Sequence, residues 1–158
     1  MRNNGRSLGL ITLVMAVLVL SCGDSLAEGG NFGLGIIIGE PTGITGKLFI
    51  SERNAIDGAL AWSLDENNYM HIQGDYLFHN FFVLEDVEGE FAWYAGLGGR
   101  IVLVDKADDH VGIRFPLGVT FLFDDGRFDT FMEIVPIMDV APDTDFDMEG
   151  AIGIRFYF

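Results

Sequence analysis

From Asn31 to Phe158 the apolar residues recur at every second position, never at helical spacing. A period of two is the mark of a β-strand with two unlike faces. The pattern predicts strands over 31–39, 44–50, 55–64, 69–84, 91–104, 111–123, 128–138 and 148–158. The breaks are Glu40-Pro41-Thr42-Gly43, Ser51-Glu52-Arg53-Asn54, Asp65-Glu66-Asn67-Asn68, Glu85 to Glu90, Asp105 to His110, Asp124-Asp125-Gly126-Arg127 and Asp139 to Asp147. Gly, Pro, Asn and Asp supply the backbone conformations that turns need. Connections this short make an antiparallel up-and-down meander the simplest topology.

The two faces differ sharply. In the sixth segment Val111, Ile113, Phe115, Leu117, Val119, Phe121 and Phe123 share one face, against Gly112, Arg114, Pro116, Gly118, Thr120 and Leu122. Across all eight segments the apolar face carries no charged residue, and Asn80 and Thr130 are its clear hydrogen-bonding intrusions beside Tyr76 and the Trp side chains. The opposite face is small and polar. Its charges are Lys47, Arg100, Arg114 and Arg155 against Asp57, Asp75, Glu133 and Glu149, with Asp129 at a strand end.

Alternation alone permits a soluble barrel, greasy inside, or a membrane barrel, greasy outside. Volume separates them. Eight strands leave an interior just wide enough for side chains to fill. The apolar face, with Phe, Trp, Ile, Leu and Met almost continuous, is too bulky for that space. Gly beside Arg and Tyr suits a tight interior, where small residues give long ones room. The expectation is therefore an all-β, eight-stranded antiparallel up-and-down transmembrane β-barrel whose polar face forms a charge network plugging the lumen. Unpaired backbone groups cost several kcal/mol each in hydrocarbon, so such strands must close on themselves.

The N-terminus agrees with export. Arg2 and Arg6 precede an apolar run from Leu8 to Leu20, too short to span a bilayer as a helix. A basic start, a short apolar core and small residues read as a secretory signal. Ser25-Leu26-Ala27 places cleavage after Ala27, giving a signal peptide over 1–27 and a barrel domain over 28–158. The rival reading makes Cys22 a lipidated N-terminus. Export puts both chain ends in the periplasm. Phe32, Phe78, Phe82, Phe91, Trp93, Phe121, Phe123, Phe128, Phe156 and Phe158 then fall near periplasmic strand ends, as an interfacial girdle does.

Several functions are disfavoured. The net charge of -15 argues against binding nucleic acid. A single Cys excludes an intramolecular disulfide framework, and His71, His79 and His110 show no metal-ligand spacing. A lipid-modifying site on the outer wall would need a His–Ser pair there. By parity His71, His79 and Ser63 face inward, and His110 lies in a loop. No cofactor is expected. Asp143, Asp145 and Asp147 have calcium-loop spacing, but Met148 and Ile154 stand where such a loop needs Gly and Glu, so no metal is expected there either. With Asp65-Glu66, Asp105 and Asp108-Asp109 they make the outer loops acidic.

The last residues, Gly153-Ile154-Arg155-Phe156-Tyr157-Phe158, resemble the C-terminal signal read by the outer-membrane barrel-assembly machinery, with Gly153, Phe156 and Phe158 at its key positions. Ala151 departs from the polar residue usual at its start. Gly39-Glu40-Pro41-Thr42-Gly43 with Lys47, Glu52-Arg53-Asn54-Ala55-Ile56-Asp57, His79-Asn80-Phe81, Gly98-Gly99-Arg100 and Pro142-Asp143-Thr144-Asp145-Phe146 resemble an uncharacterised family of small bacterial outer-membrane barrels. The resemblance covers essentially the whole exported chain. It implies an OmpA/OmpX-like eight-stranded barrel in a diderm bacterium, and no activity. Outer-membrane lipid, lipopolysaccharide and the assembly machinery are the expected partners, in a structural or surface-interaction role. The alternative is a narrow pore or transport accessory, and a lipid A-modifying enzyme comes third.

Overall fold

The computed structural model describes residues 30–63, 69–82, 89–104, 108–123 and 126–158. The signal segment 1–27 with Cys22, and the loop acids Asp65, Glu66 and Asp105, lie outside these residues. The described residues form nine strands and no helix: β1 Phe32–Gly39, β2 Gly43–Phe49, β3 Asn54–Ser63, β4 Tyr69–Phe82, β5 Gly89–Val104, β6 His110–Arg114, β7 Leu117–Phe123, β8 Phe128–Ala141 and β9 Asp145–Tyr157.

β6 and β7 are two halves of one stave, the predicted sixth strand. Each pairs with β5 on one side and β8 on the other, in one unshifted register from Gly112 onward. Pro116 has no N–H to donate, so the ladder breaks there. The Pro116 carbonyl still accepts from Gly96 N at 2.9 Å, and Phe115 N donates to Pro136 O at 3.0 Å. The stave stays straight while losing one rung.

The sheet closes on itself, because β1 pairs with both β2 and β9. Eight antiparallel staves therefore make one barrel. Its stagger follows from the register. Stepping across paired residues from Gly33 leads through Lys47, Asp57, Asp75, Gly98, Arg114 and Ile137 to Asp147, whereas Gly33 itself pairs with Tyr157, ten residues further along β9. A stagger of that size in eight strands inclines each by about 40° to the barrel axis.

Some strand boundaries differ from the sequence expectation. β8 runs on to Ala141 and β9 begins at Asp145, so the supposed turn from Asp139 to Asp147 shrinks to Pro142, Asp143 and Thr144. Its composition imitates a turn, but alternation continues through it and hairpin pairing reaches Asp139 opposite Asp145. His110 likewise opens β6 instead of lying in a loop.

The outward positions are the greasy ones. Leu34, Ile36, Trp62, Leu97, Met132 and Ile152 are all exposed. At the rim that holds both described ends of the chain, rings of Phe82, Phe91, Phe121 and Phe123 touch in sequence, and Phe128, Phe156 and Phe158 form a second run, with centroids 4.7–6.0 Å apart.

Candidate functional site

All eight side chains of the expected charge network point into the barrel and are buried: Lys47, Asp57, Asp75, Arg100, Arg114, Glu133, Glu149 and Arg155. Their arrangement follows a rule set by the register. A long polar side chain on one strand crosses a glycine on the next strand to reach a partner on the strand after that. Arg114 faces Gly98, which faces Asp75, and Arg114 Nε donates to Asp75 Oδ1 at 3.2 Å. Arg100 faces Gly112, which faces Asp139, and Arg100 Nη2 donates to Asp139 Oδ2 at 2.7 Å. Tyr94 faces Gly118, which faces Glu133, and the Tyr94 hydroxyl donates to Glu133 Oε2 at 2.8 Å. Arg155 faces Gly35, which faces Thr45, and the guanidinium donates to Thr45 Oγ1 at 3.3 Å. The crossings have no room for a methyl group. A Cβ on Gly98 would lie 2.0 Å from Asp75 Oδ1, and one on Gly118 2.4 Å from Tyr94 Cζ.

The ion pairs form two groups along the axis. The first is nearer the aromatic rim. Arg155 Nη2 donates to Asp57 Oδ2 at 2.6 Å and its Nη1 to Asp129 Oδ2 at 3.4 Å, while its guanidinium carbon sits 3.8 Å above the Phe131 ring. The Tyr157 hydroxyl donates to Asp129 Oδ2 at 2.8 Å. Lys47 Nζ stands 4.0 Å from the same oxygen, over the rings of Phe49 and Tyr94 at 5.1 and 5.2 Å. Below it, Phe49, His79, Phe81 and Tyr157 pack ring against ring across this mouth. The second group lies toward the other mouth. Arg114 Nη1 donates to Glu149 Oε2 at 2.6 Å, and Arg100 holds Glu149, Asp139 and Asp147.

Reading the strands alone pairs four cations with four anions. The structure buries Asp129, expected at a strand end, and adds Asp139, so among the described residues four buried cations face six buried carboxylates. The group near the rim is balanced. The group around Arg100 and Arg114 sets the carboxyl groups of Asp75, Glu133, Asp139 and Glu149 around two guanidinium groups. The interior is also less uniformly polar than expected: Ile37, Leu77, Phe131, Val135 and Ile137 are buried there. Phe131 and Leu77 each face a cross-strand glycine, Gly153 and Gly96, which makes space for them. His71 and His79 are inside; His71 lies 3.1 Å from Gln73 Oε1.

The acids with calcium-loop spacing do not gather. Asp143 is exposed in the turn, whereas Asp145 and Asp147 belong to β9. Their Oδ1 atoms accept from the next residues' backbone, Phe146 N and Met148 N, both at 2.8 Å, and Asp147 also pairs with Arg100 at 3.1 Å. Gly153, Phe156 and Phe158 of the terminal motif all have packing roles: Gly153 under Phe131, and the two Phe rings against each other at the rim.

The backbone matches the crystal structure of the N-terminal β-barrel domain of Pseudomonas aeruginosa OprF, with a TM-score of 0.58 and 13% sequence identity, over 82% of this chain and 99% of that one. The fold is that of an OmpA-like eight-stranded barrel. At that identity the likeness is one of fold alone. No protein-family model matches the chain, and no curated protein does.

Proposed function

We propose that this chain is an integral outer-membrane protein of a diderm bacterium, exported by a signal peptide over 1–27. Its barrel over 28–158 is closed by its own side chains and serves a structural or surface-contact role. The observation that carries this reading is inverted polarity. Lys47, Arg114 and Arg155 are at most 2% exposed, while Trp62, Leu97, Met132 and Ile152 are each more than half exposed. A wall of such residues around a charged interior has hydrocarbon as its natural solvent.

The dimensions agree. Outward residues run from Phe128 to Val140 on β8, which at the barrel's tilt is about 30 Å of apolar height. That matches the hydrocarbon core of a bilayer. The ringed rim of Phe residues is then the periplasmic girdle. Membrane lipid and lipopolysaccharide become the surroundings of the wall, and the assembly machinery reads Gly153, Phe156 and Phe158 during biogenesis. The filled interior supports a plug over a pore: guanidinium groups cross it at two levels and aromatic rings cover one mouth.

Membrane fractionation with gel mobility before and after heating tests the reading. The protein is expected in the outer-membrane fraction, with a heat-dependent mobility shift typical of a detergent-resistant barrel. Recovery as a soluble periplasmic protein overturns it.

A further inference from the structure

The wall of the barrel is not of even height. On β1 the outward residues run only from Phe32 to Ile38, six positions, against twelve from Phe91 to Leu103 on β5 and twelve from Phe146 to Phe158 on β9. At the barrel's tilt that is about 15 Å of apolar surface beside β1 and about 30 Å beside β5 and β9.

β9 continues past the end of β1. Their last paired residues are Gly39 and Ala151, and one further bond joins Glu40 N to Gly150 O at 3.0 Å. Beyond it, among the described residues, no strand pairs with this edge of β9. Alternate residues of a strand present their backbone groups to the same edge. Gly150 and Phe158 both bond toward β1, so Phe146 and Met148 present theirs to the same side, where no strand follows. Their amides are taken instead by the carboxylates of Asp145 and Asp147. Glu40 is exposed on the opposite bank of this gap, and Asp147 is half exposed within it.

An open sheet edge and exposed carboxylates are not tolerated in hydrocarbon. They are tolerated in water, where edge-capping carboxylates also keep other strands from pairing. We propose that the outer surface of the bilayer dips beside β1 and β2, so that water and outer-leaflet headgroups fill the notch above Gly39 and Gly43. The barrel thereby thins the membrane on one side only. This rests on the membrane reading above, and the experiment separates the two.

Strand tilt brings Met148, beside the notch, to about the same level as Ile101 on β5, while Ile134 on β8 lies deeper in the wall. Nitroxide labels go on Met148→Cys, Ile101→Cys and Ile134→Cys, each in a Cys22→Ser background. The protein is refolded in dioleoylphosphatidylcholine vesicles. Collision rates with oxygen and with a water-soluble nickel chelate are compared. The expected result is a several-fold higher nickel collision rate at Met148 than at Ile101, with Ile101 and Ile134 both in hydrocarbon. Hydrocarbon values at Met148 and Ile101 alike overturn the notch and leave the membrane reading standing. Aqueous values at both, with Ile134 in hydrocarbon, also overturn it, since the bilayer would then meet the whole wall at a lower level. An aqueous Ile134 defeats the membrane reading and the notch with it.

Discussion

Arg114 and Asp75 meet across Gly98, at 3.2 Å, over a strand that presents only hydrogen at the crossing. The glycine is therefore part of the ion pair. A Cβ there would fall 2.0 Å from Asp75 Oδ1 and 2.2 Å from the Gly74 carbonyl, which is backbone and cannot swing away. Gly74, one strand over and facing outward, is the natural control, since a Cβ there meets nothing nearer than 4.0 Å. Gly98→Ala is expected to destabilise the barrel by about 1–3 kcal/mol, as overpacking does. Gly74→Ala should stay within about 0.5 kcal/mol, as unconstrained surface changes do. Urea unfolding in vesicles, followed by tryptophan fluorescence, measures both. Equal midpoints would show that the crossing has slack the geometry denies.

Arg114 holds Asp75 and Glu149 at once and is fully buried. Removing it leaves Asp75 without its counter-ion in a confined space. Arg114→Met is expected to lose about 3–5 kcal/mol, the range for breaking a buried pair from one side. Asp143→Asn, in the exposed turn, should stay within about 0.5 kcal/mol. Adding Asp75→Asn to Arg114→Met should cost less than the two separate losses combined, because the pair is then removed from both sides. Strict additivity would mean that the two residues do not interact.

How much of this was readable in the chain depends on which distance is asked about. Parity alone sends Arg100, Arg114 and Arg155 to one face, because inside and outside differ by one residue along a strand. Partner choice is a matter of register, which couples residues such as Arg100 and Asp139 that are 39 positions apart. No local pattern encodes that number. Asp139 was further hidden by its neighbours: Asp, Pro and Thr from 139 to 147 have turn composition, yet two strands run through most of it. Phe131 and Leu77 lie on the inward parity too, but the glycines that make room for them, Gly153 and Gly96, are visible only once the strands are aligned.

The proposed plug carries a prediction about ion flow. Arg114 joins Asp75 on β4 to Glu149 on β9, Arg100 reaches Asp139 on β8, and the aromatic layer of Phe49, His79, Phe81 and Tyr157 covers the rim end. In an eight-strand interior, just wide enough for side chains to fill, we propose that these groups leave no open channel. Planar-bilayer recordings of the purified protein in concentrated potassium chloride should show no discrete conductance steps above leak. Reproducible steps would favour the narrow-pore alternative, with Arg100 and Arg114 lining the path.

The two tryptophans report on the wall directly. Trp62 and Trp93 both point outward, 57% and 45% exposed, on β3 and β5. Trp93 faces Asn80 near the aromatic rim, whereas Trp62 faces Met70 near the opposite end. Each should therefore lie closer to a bilayer surface than to its midplane, where indole side chains concentrate. Single-tryptophan proteins, made with Trp62→Phe or Trp93→Phe, are refolded into vesicles of brominated phosphatidylcholine. Both should be quenched, and more strongly by bromine near the headgroup end of the chain than by bromine near its methyl end. A soluble barrel would leave both emissions untouched by lipid bromine, and stronger quenching from the methyl end would move the wall's apolar band away from the level deduced from strand tilt.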